Sequence, residues 1–175
     1  GGTICSGGMD TLSVSASGSP GLHYEWQLQN GVNWLVVGTD ANTFITPELT
    51  ATTTYRVIVY ALESGCQAVT SENVTVTVTP DISITAQPQG GSICQGGNFT
   101  LNVVASGSPG LLYQWEVLNG SNWEIIPGAT SSSYNTGALN NNTDYRVYIY
   151  ATASGCEDVY SAAAAVIVTP DIVIS

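Results

Sequence analysis

Apolar and polar residues alternate with a period of two through much of the chain. Leu12, Val14 and Ala16 alternate with Thr11, Ser13 and Ser15, and Tyr24, Trp26 and Leu28 alternate with Glu25 and Gln27. That period places one face of an extended segment in a core and the other in water. The runs are short and rich in Val, Thr, Ile and Tyr, with Gly, Pro, Asn and Ser between them, which predicts strands joined by turns. Asn30-Gly31 and Asn119-Gly120 are hairpin signals, with Asn and Gly expected at the two central turn positions, and Trp34–Val37 is the expected return strand. Residues 54–61 and 73–79 are expected to form a second hairpin around Ser64 and Gly65. The Ala162–Ala165 run could suggest a helix, but it leads into a valine-rich segment and is read as strand.

The pattern occurs twice. GGTICSGG (1–8) returns as GGSICQGG (90–97), ASGSPGL (16–22) as ASGSPGL (105–111), and VTVTPDISI (76–84) as VIVTPDIVI (166–174). The offset is 89 up to Val37 and 90 from Gly38 onward, with Pro127 the single insertion. The expected organisation is therefore residues 1–80 as a first copy lacking its first strand, 81–170 as a second copy, and 171–175 as the start of a third. On this reading the chain is a slice of a longer array.

About seven strands per copy predict an all-β fold of two tandem immunoglobulin-like sandwiches. Trp26 and Trp115 fall where such sandwiches hold a core tryptophan, and Tyr55 and Tyr145 where they form a tyrosine corner. Two residues later, where antibody domains carry a core cysteine, stand Val57 and Val147, with Val14 and Val103 as their expected partners. The four cysteines occupy other, repeat-equivalent positions: Cys5 and Cys66, Cys94 and Cys156. Four cysteines allow three pairings, and repeat symmetry favours Cys5–Cys66 and Cys94–Cys156. Zinc is disfavoured, because no C-x-x-C occurs and the one histidine, His23, becomes Leu112 in the second copy.

Charge narrows the partners. Thirteen acids face two arginines, Arg56 and Arg146, for a net charge of −11 with no lysine. Nothing here could neutralise phosphates, so nucleic-acid binding through a basic patch is excluded. No apolar run has membrane-spanning length, so no membrane insertion is expected. Both arginines directly follow the corner tyrosine, which predicts a structural partner, an acid or a backbone carbonyl, for each.

A cysteine near Gly7-Gly8, then Tyr24 and Trp26, Trp34 and Gly38, Tyr55-Arg56-Val57, Ser64-Gly65-Cys66, and Val76, Val78 and Pro80 together make a signature that the second copy repeats. It resembles the tandem Ig-like repeats of giant secreted surface proteins of the Bacteroidota, including gliding-motility adhesins and other cargo of the type IX secretion system. The resemblance implies an extracellular, cell-surface, non-catalytic module that works as a spacer or stalk beside neighbouring repeats of the same chain. The alternative is a module that binds carbohydrate or other cell-surface proteins through exposed aromatics, with Trp34 and Trp123 as candidate ligand contacts. Against it, Trp34 is expected to pack across its hairpin on Tyr24 or to cap the sandwich edge. No cofactor is expected; Asp81 and Asp171, each after a Thr-Pro, are weak candidates for a junctional calcium. The sequons at Asn73, Asn98, Asn119 and Asn141 and the Asp10-Thr11-Leu12 triplet are short enough to arise by composition. Finally, DIVIS (171–175) matches DISIT (81–85), so the tail of one molecule could add head to tail to the edge left open in copy 1 of the next.

Overall fold

The computed structural model describes residues 1–18, 20–62, 65–152 and 154–172. Its elements are all strands. Copy 1 runs β1 (Thr3–Cys5), β2 (Thr11–Ser13), β3 (Leu22–Asn30), β4 (Asn33–Val37), β5 (Thr43–Ile45), β6 (Thr53–Ala61), β7 (Val69–Thr70) and β8 (Val74–Thr79). Copy 2 runs β9 (Ser83–Ala86), β10 (Gly91–Cys94), β11 (Thr100–Asn102), β12 (Val104–Ser106), β13 (Leu112–Asn119), β14 (Asn122–Ile125), β15 (Ser133–Asn135), β16 (Thr143–Tyr150), β17 (Val159–Tyr160) and β18 (Ala164–Thr169). Two compact units result: Gly1–Pro80 with Ala153–Gly155, and Asp81–Thr152 with Cys156–Ser175. No helix among the described residues is long and apolar enough to cross a membrane.

Each unit is an immunoglobulin-like sandwich. Its larger sheet has the order β1-β8-β6-β3-β4 in copy 1 and β10-β18-β16-β13-β14 in copy 2. Its smaller layer comes from β2 with β5 in copy 1, and from β11 with β15 and β12 with β9 in copy 2. The outermost pairing of the larger sheet, β1 with β8 and β10 with β18, is parallel. Parallel strands need a long crossover, and the whole copy supplies it.

The Asn-Gly hairpins sit one residue off the expected frame. Asn30 pairs with Asn33 in the ladder, so the central turn residues are Gly31 and Val32. Gly31 has φ +62°, as the first central position of a type II′ turn demands. Asn119–Asn122 and Gly120 repeat the arrangement. Of the alanine run, Ala164 and Ala165 open β18, with Ala164 buried, while Ala162 and Ala163 precede the strand. Of the second expected turn, Ser64 lies outside the described residues.

Both cores are built on one aromatic triad. Trp26 stacks on Phe44, which lies 5.5 Å from Tyr55 between ring centres; Trp115, Tyr134 and Tyr145 repeat it. The indoles are wholly buried yet satisfied, Trp26 Nε1 donating to Ala41 O and Trp115 Nε1 to Ser131 O, both at 2.9 Å. Burial raises the phenol pKa of Tyr55 and Tyr145 above the usual tyrosine value. Val57 and Val147 fill the antibody-cysteine position and are fully buried. Val103 is buried with them, whereas its counterpart Val14 is only half-buried against the copy 1 core.

Candidate functional site: an arginine-aromatic sheet face and an open sandwich edge

The outer face of each large sheet carries one arginine. Arg56 on β6 pairs in register with Gln27 on β3, and Arg146 on β16 with Glu116 on β13. Because side chains alternate across a strand, these partners share a face with the tryptophan of the return strand. The Arg56 guanidinium carbon lies 4.0 Å from the centre of the Trp34 ring, and that of Arg146 lies 4.5 Å from Trp123 and 4.2 Å from Tyr160. These are cation–π distances. Trp34 therefore does not pack on Tyr24: it pairs with Gln29, five residues along β3, and its ring is covered by Arg56.

The arginine's polar partner differs between copies in an instructive way. In copy 2, Arg146 Nε donates to Glu116 Oε2 at 2.6 Å, with the carboxylate largely buried. In copy 1 the position is Gln27, whose Oε1 accepts from Arg56 Nε at 2.7 Å while its Nε2 donates to Glu25 Oε1 at 2.6 Å. The acid has moved two residues along the same face, and the glutamine relays it. In copy 2, Gln114 at the Glu25 position turns to backbone carbonyls of Trp115 and Ile126. The expected acid partner thus exists for Arg146 alone; Arg56 uses an amide.

Copy 2 extends this face. Tyr148 stacks on Tyr150 at 5.2 Å and meets Tyr160 at 4.8 Å between ring centres, and its hydroxyl donates to Asp158. That hydrogen bond, more than anything else, pushes the Tyr148 pKa up to about 12, because the bond exists only while the phenol keeps its proton. At the equivalent end of copy 1, His23 stacks on Tyr60, and His23 Nδ1 lies 2.5 Å from Asp40 Oδ2. The His23 contact and the Tyr24 backbone N–H hold the Asp40 carboxyl below its usual pKa.

The symmetric cysteine pairing fails on distance. Cys5 aligns with Thr79 at the last position of β8, whereas Cys66 follows Ala61 at the far end of β6. Thr53, at the start of β6, pairs with Val76. At about 3.3 Å per residue the two cysteines therefore lie roughly 30 Å apart along the sheet, while a disulfide needs Cα atoms within about 7 Å. Cys94 aligns with Thr169 and is separated from Cys156 by β16 in the same way. Cys5 is nonetheless disulfide-bonded, while Cys94 is a free, exposed thiol. Disulfide chemistry is present, but not as a staple inside each copy. Asp81 precedes β9, and Asp171 follows β18.

Other residues at the site escaped the sequence reading. Phe44 and Tyr134 complete the triad. Thr46 and Thr136 accept the backbone N–H of Asp10 and Phe99, and Ser71 and Ser161 accept that of Val57 and Val147. Their repeat equivalence was the available signal, but serines and threonines are too common in this chain for it to be visible.

The second feature is an edge. In copy 2, β9 pairs with β12 and brings Ile82 into the core, with Ile84 packed against it. In copy 1 the equivalent stretch, Val14 to Ser17, borders an open groove of about 500 Å³.

The architecture is widely shared. The chain is 14% identical to extracellular domains 3–5 of Drosophila OTK, with a TM-score of 0.66, covering 95% of this chain and 58% of that one. The N-terminal eight Ig domains of Down Syndrome Cell Adhesion Molecule match at 14% identity and TM-score 0.64, covering 95% of this chain and 23% of theirs. The three N-terminal domains of the bacteriophage RB49 outer capsid protein Hoc match at 14% and 0.60, covering 98% and 67%. The chain thus spans little more than half of the OTK structure, and the likeness is one of fold. No curated protein matches it. A family model described as a domain of unknown function, DUF8696, matches residues 1–80 and again 83–170. The chain belongs to that family, as two tandem copies of its immunoglobulin-like domain.

Proposed function

We propose that the two copies serve as spacer segments of an extracellular cell-surface adhesin or filament protein, without catalytic activity. The observation that carries this reading is what the repeat keeps and what it changes. Kept are the packing residues: Trp26 and Trp115, Tyr55 and Tyr145, Val57 and Val147, Val76 and Val166, all buried. Changed are the polar groups that chemistry would need: His23 to Leu112, Glu25 to Gln114, Gln67 to Glu157. Selection for a repeated mechanical unit conserves the first set; selection for a repeated polar site would conserve the second. Disulfide chemistry fits an oxidising, extracellular setting. The resemblance to type IX-secreted and gliding-motility surface proteins supports the same assignment, with neighbouring repeats as the main partners. Pulled end to end with its disulfide reduced, the chain should give two separate unfolding events, each releasing roughly 30 nm at about 3.5 Å per residue. Unfolding as one event, or at forces indistinguishable from a disordered linker, would count against a load-bearing spacer.

A second reading rests on copy 2 alone. Trp123, Arg146, Tyr160, Tyr148 and Tyr150 form one continuous run of rings and guanidinium across its outer sheet face. Sugar rings stack on such faces, and Asp158 supplies a polar neighbour. Glycan binding that disappears in Tyr160→Ala while the equivalent copy 1 change, Thr70→Ala, has no effect would favour it. Equal binding by both variants would remove it.

A further inference from the structure

The large sheet of copy 1 ends at β4, which pairs with β3 on one side and, among the described residues, with no strand on the other. The tail segment expected to add head to tail ends in residues 173–175, outside the described residues, whereas β4 lies wholly within them. The register of β4 to β3 runs unbroken from Asn33 to Val37. The two-residue turn makes Asn30 and Asn33 a hydrogen-bonded pair, so by alternation Leu35 and Val37 also turn their main-chain groups to β3. The N–H and C=O of Trp34 and Val36 therefore point to the open edge. Such an edge is a template for another strand, and proteins blunt it with devices that include an inward-pointing charge and a proline.

Copy 2 carries both of these devices and copy 1 carries neither. Glu124 stands where copy 1 has Leu35, and its Oε1 accepts from Asn119 Nδ2 at 3.1 Å. Its face is the inner one, since Ile126, two residues on, packs against the core. Pro127, the single insertion, takes the next outward-facing position after Ile125 and offers no N–H there. In copy 1, Leu35 and Val36 are 46% and 64% exposed. Ile125 is as exposed as Val36, so the difference between the edges rests on Glu124 and Pro127. From Trp26 to Thr39 the sequence holds no charged residue, in a chain of net charge −11.

We infer that β4 of copy 1 pairs antiparallel with β4 of a second copy of this chain, about a twofold axis at Leu35. In that register Trp34 lies opposite the partner's Val36, and Val36 opposite the partner's Trp34. All of these residues face the edge, so each pair exchanges both of its main-chain hydrogen bonds. On the outer face each pair sets an aromatic ring beside a β-branched chain, a favourable cross-strand combination. On the inner face Leu35 meets the partner's Leu35 as the closer, non-hydrogen-bonded pair and covers apolar surface that is open in the single chain. The strand is complementary to itself, and this is what makes a second copy its occupant. The uncharged hairpin lets two strongly acidic molecules meet without like charges in contact. The same register in copy 2 would set two Glu124 carboxylates directly opposite each other, with Pro127 unable to extend the ladder, so β14 stays unpaired. Because both molecules use the same surface, the contact closes as a dimer and joins two chains side by side.

The test is the mass of the 175-residue chain by light scattering across concentration. The expected result is a rise from 18.2 kDa toward twice that value and no further. Leu35→Glu, which gives copy 1 the residue that copy 2 carries, should hold the mass at 18.2 kDa throughout, and so should Val36→Asp. Both side chains are exposed, and copy 2 already accommodates the glutamate at the equivalent position, so neither fold is at risk. Hydrogen exchange reads the same contact in the unchanged chain. The amides of Trp34 and Val36 should exchange more slowly as concentration rises, while those of Trp123 and Ile125 keep their rates. A mass fixed at 18.2 kDa from micromolar to millimolar would overturn the inference. So would a dimer that persists in either variant, a mass that climbs past twice the monomer, or protection that grows at Trp123 and Ile125 instead.

Discussion

At the residue scale the two arginines are the most informative side chains, because the same geometry is solved with different chemistry. Arg146 faces a nearly buried carboxylate, so removing the cation strands a charge, whereas Arg56 faces an amide. Arg146→Met should destabilise copy 2 by about 2–3 kcal/mol, toward the lower end for a broken buried pair because the arginine is partly exposed. Arg56→Met should cost copy 1 only about 1 kcal/mol, one hydrogen bond and part of a cation–π contact. Denaturant midpoints of the two variants check this, and equal losses would refute it. Tyr148 gives a pH prediction. Its pKa is raised to about 12 from 10.0, so the contribution of its bond to Asp158 is full below pH 10 and is lost as pH rises through 12. Ultraviolet titration should place the Tyr148 phenol among those that ionise above the ordinary range, and Asp158→Asn should return it toward that range.

At the scale of elements, turns and edges decide what alternation leaves open. The strand segments were legible because a period of two survives in single letters: Leu12, Trp26 and Val57 all point inward as their spacing requires. The turn frame was not legible, since Asn-Gly can occupy either the central pair or the last ladder position plus the first central one, and the ladder settled on the second. Glycines at the repeat-equivalent positions 38 and 128 show how context enters. Both have positive φ, +76° and +79°, but a Cβ on Gly38 would meet the Phe44 ring at 2.6 Å, while one on Gly128 meets nothing within 4 Å. Gly128→Ala should cost about 1–2 kcal/mol from left-handed backbone strain. Gly38→Ala should cost a further 1–3 kcal/mol or so, because it also wedges the aromatic triad. Thermal unfolding of the pair measures the difference, and near-identical losses would show that Phe44 yields freely.

At the scale of the whole molecule, the two copies bury different amounts of apolar side chain. Copy 2 buries Ile82 and packs Ile84; copy 1 leaves the same space open. Each fully buried isoleucine contributes about 1.5–3 kcal/mol, so the copies should not melt together. Calorimetry at low protein concentration should show two transitions, copy 1 first, separated by on the order of 10 °C. A single transition, or copy 2 melting first, would mean that the open edge costs little.

What the sequence determined by itself was everything carried by local period and by repetition: strands, duplication, sandwich class, and the buried tryptophan and tyrosine of each copy. These are readable because a side chain's face follows from its parity along a strand, and a repeat exposes its own constraints. Only the tertiary structure decided which side chains meet across strands. Register set Arg56 against Gln27 and Trp34 rather than against an acid. The length of β6 held Cys5 and Cys66 at opposite ends of a sheet, where symmetry of sequence had suggested a bond.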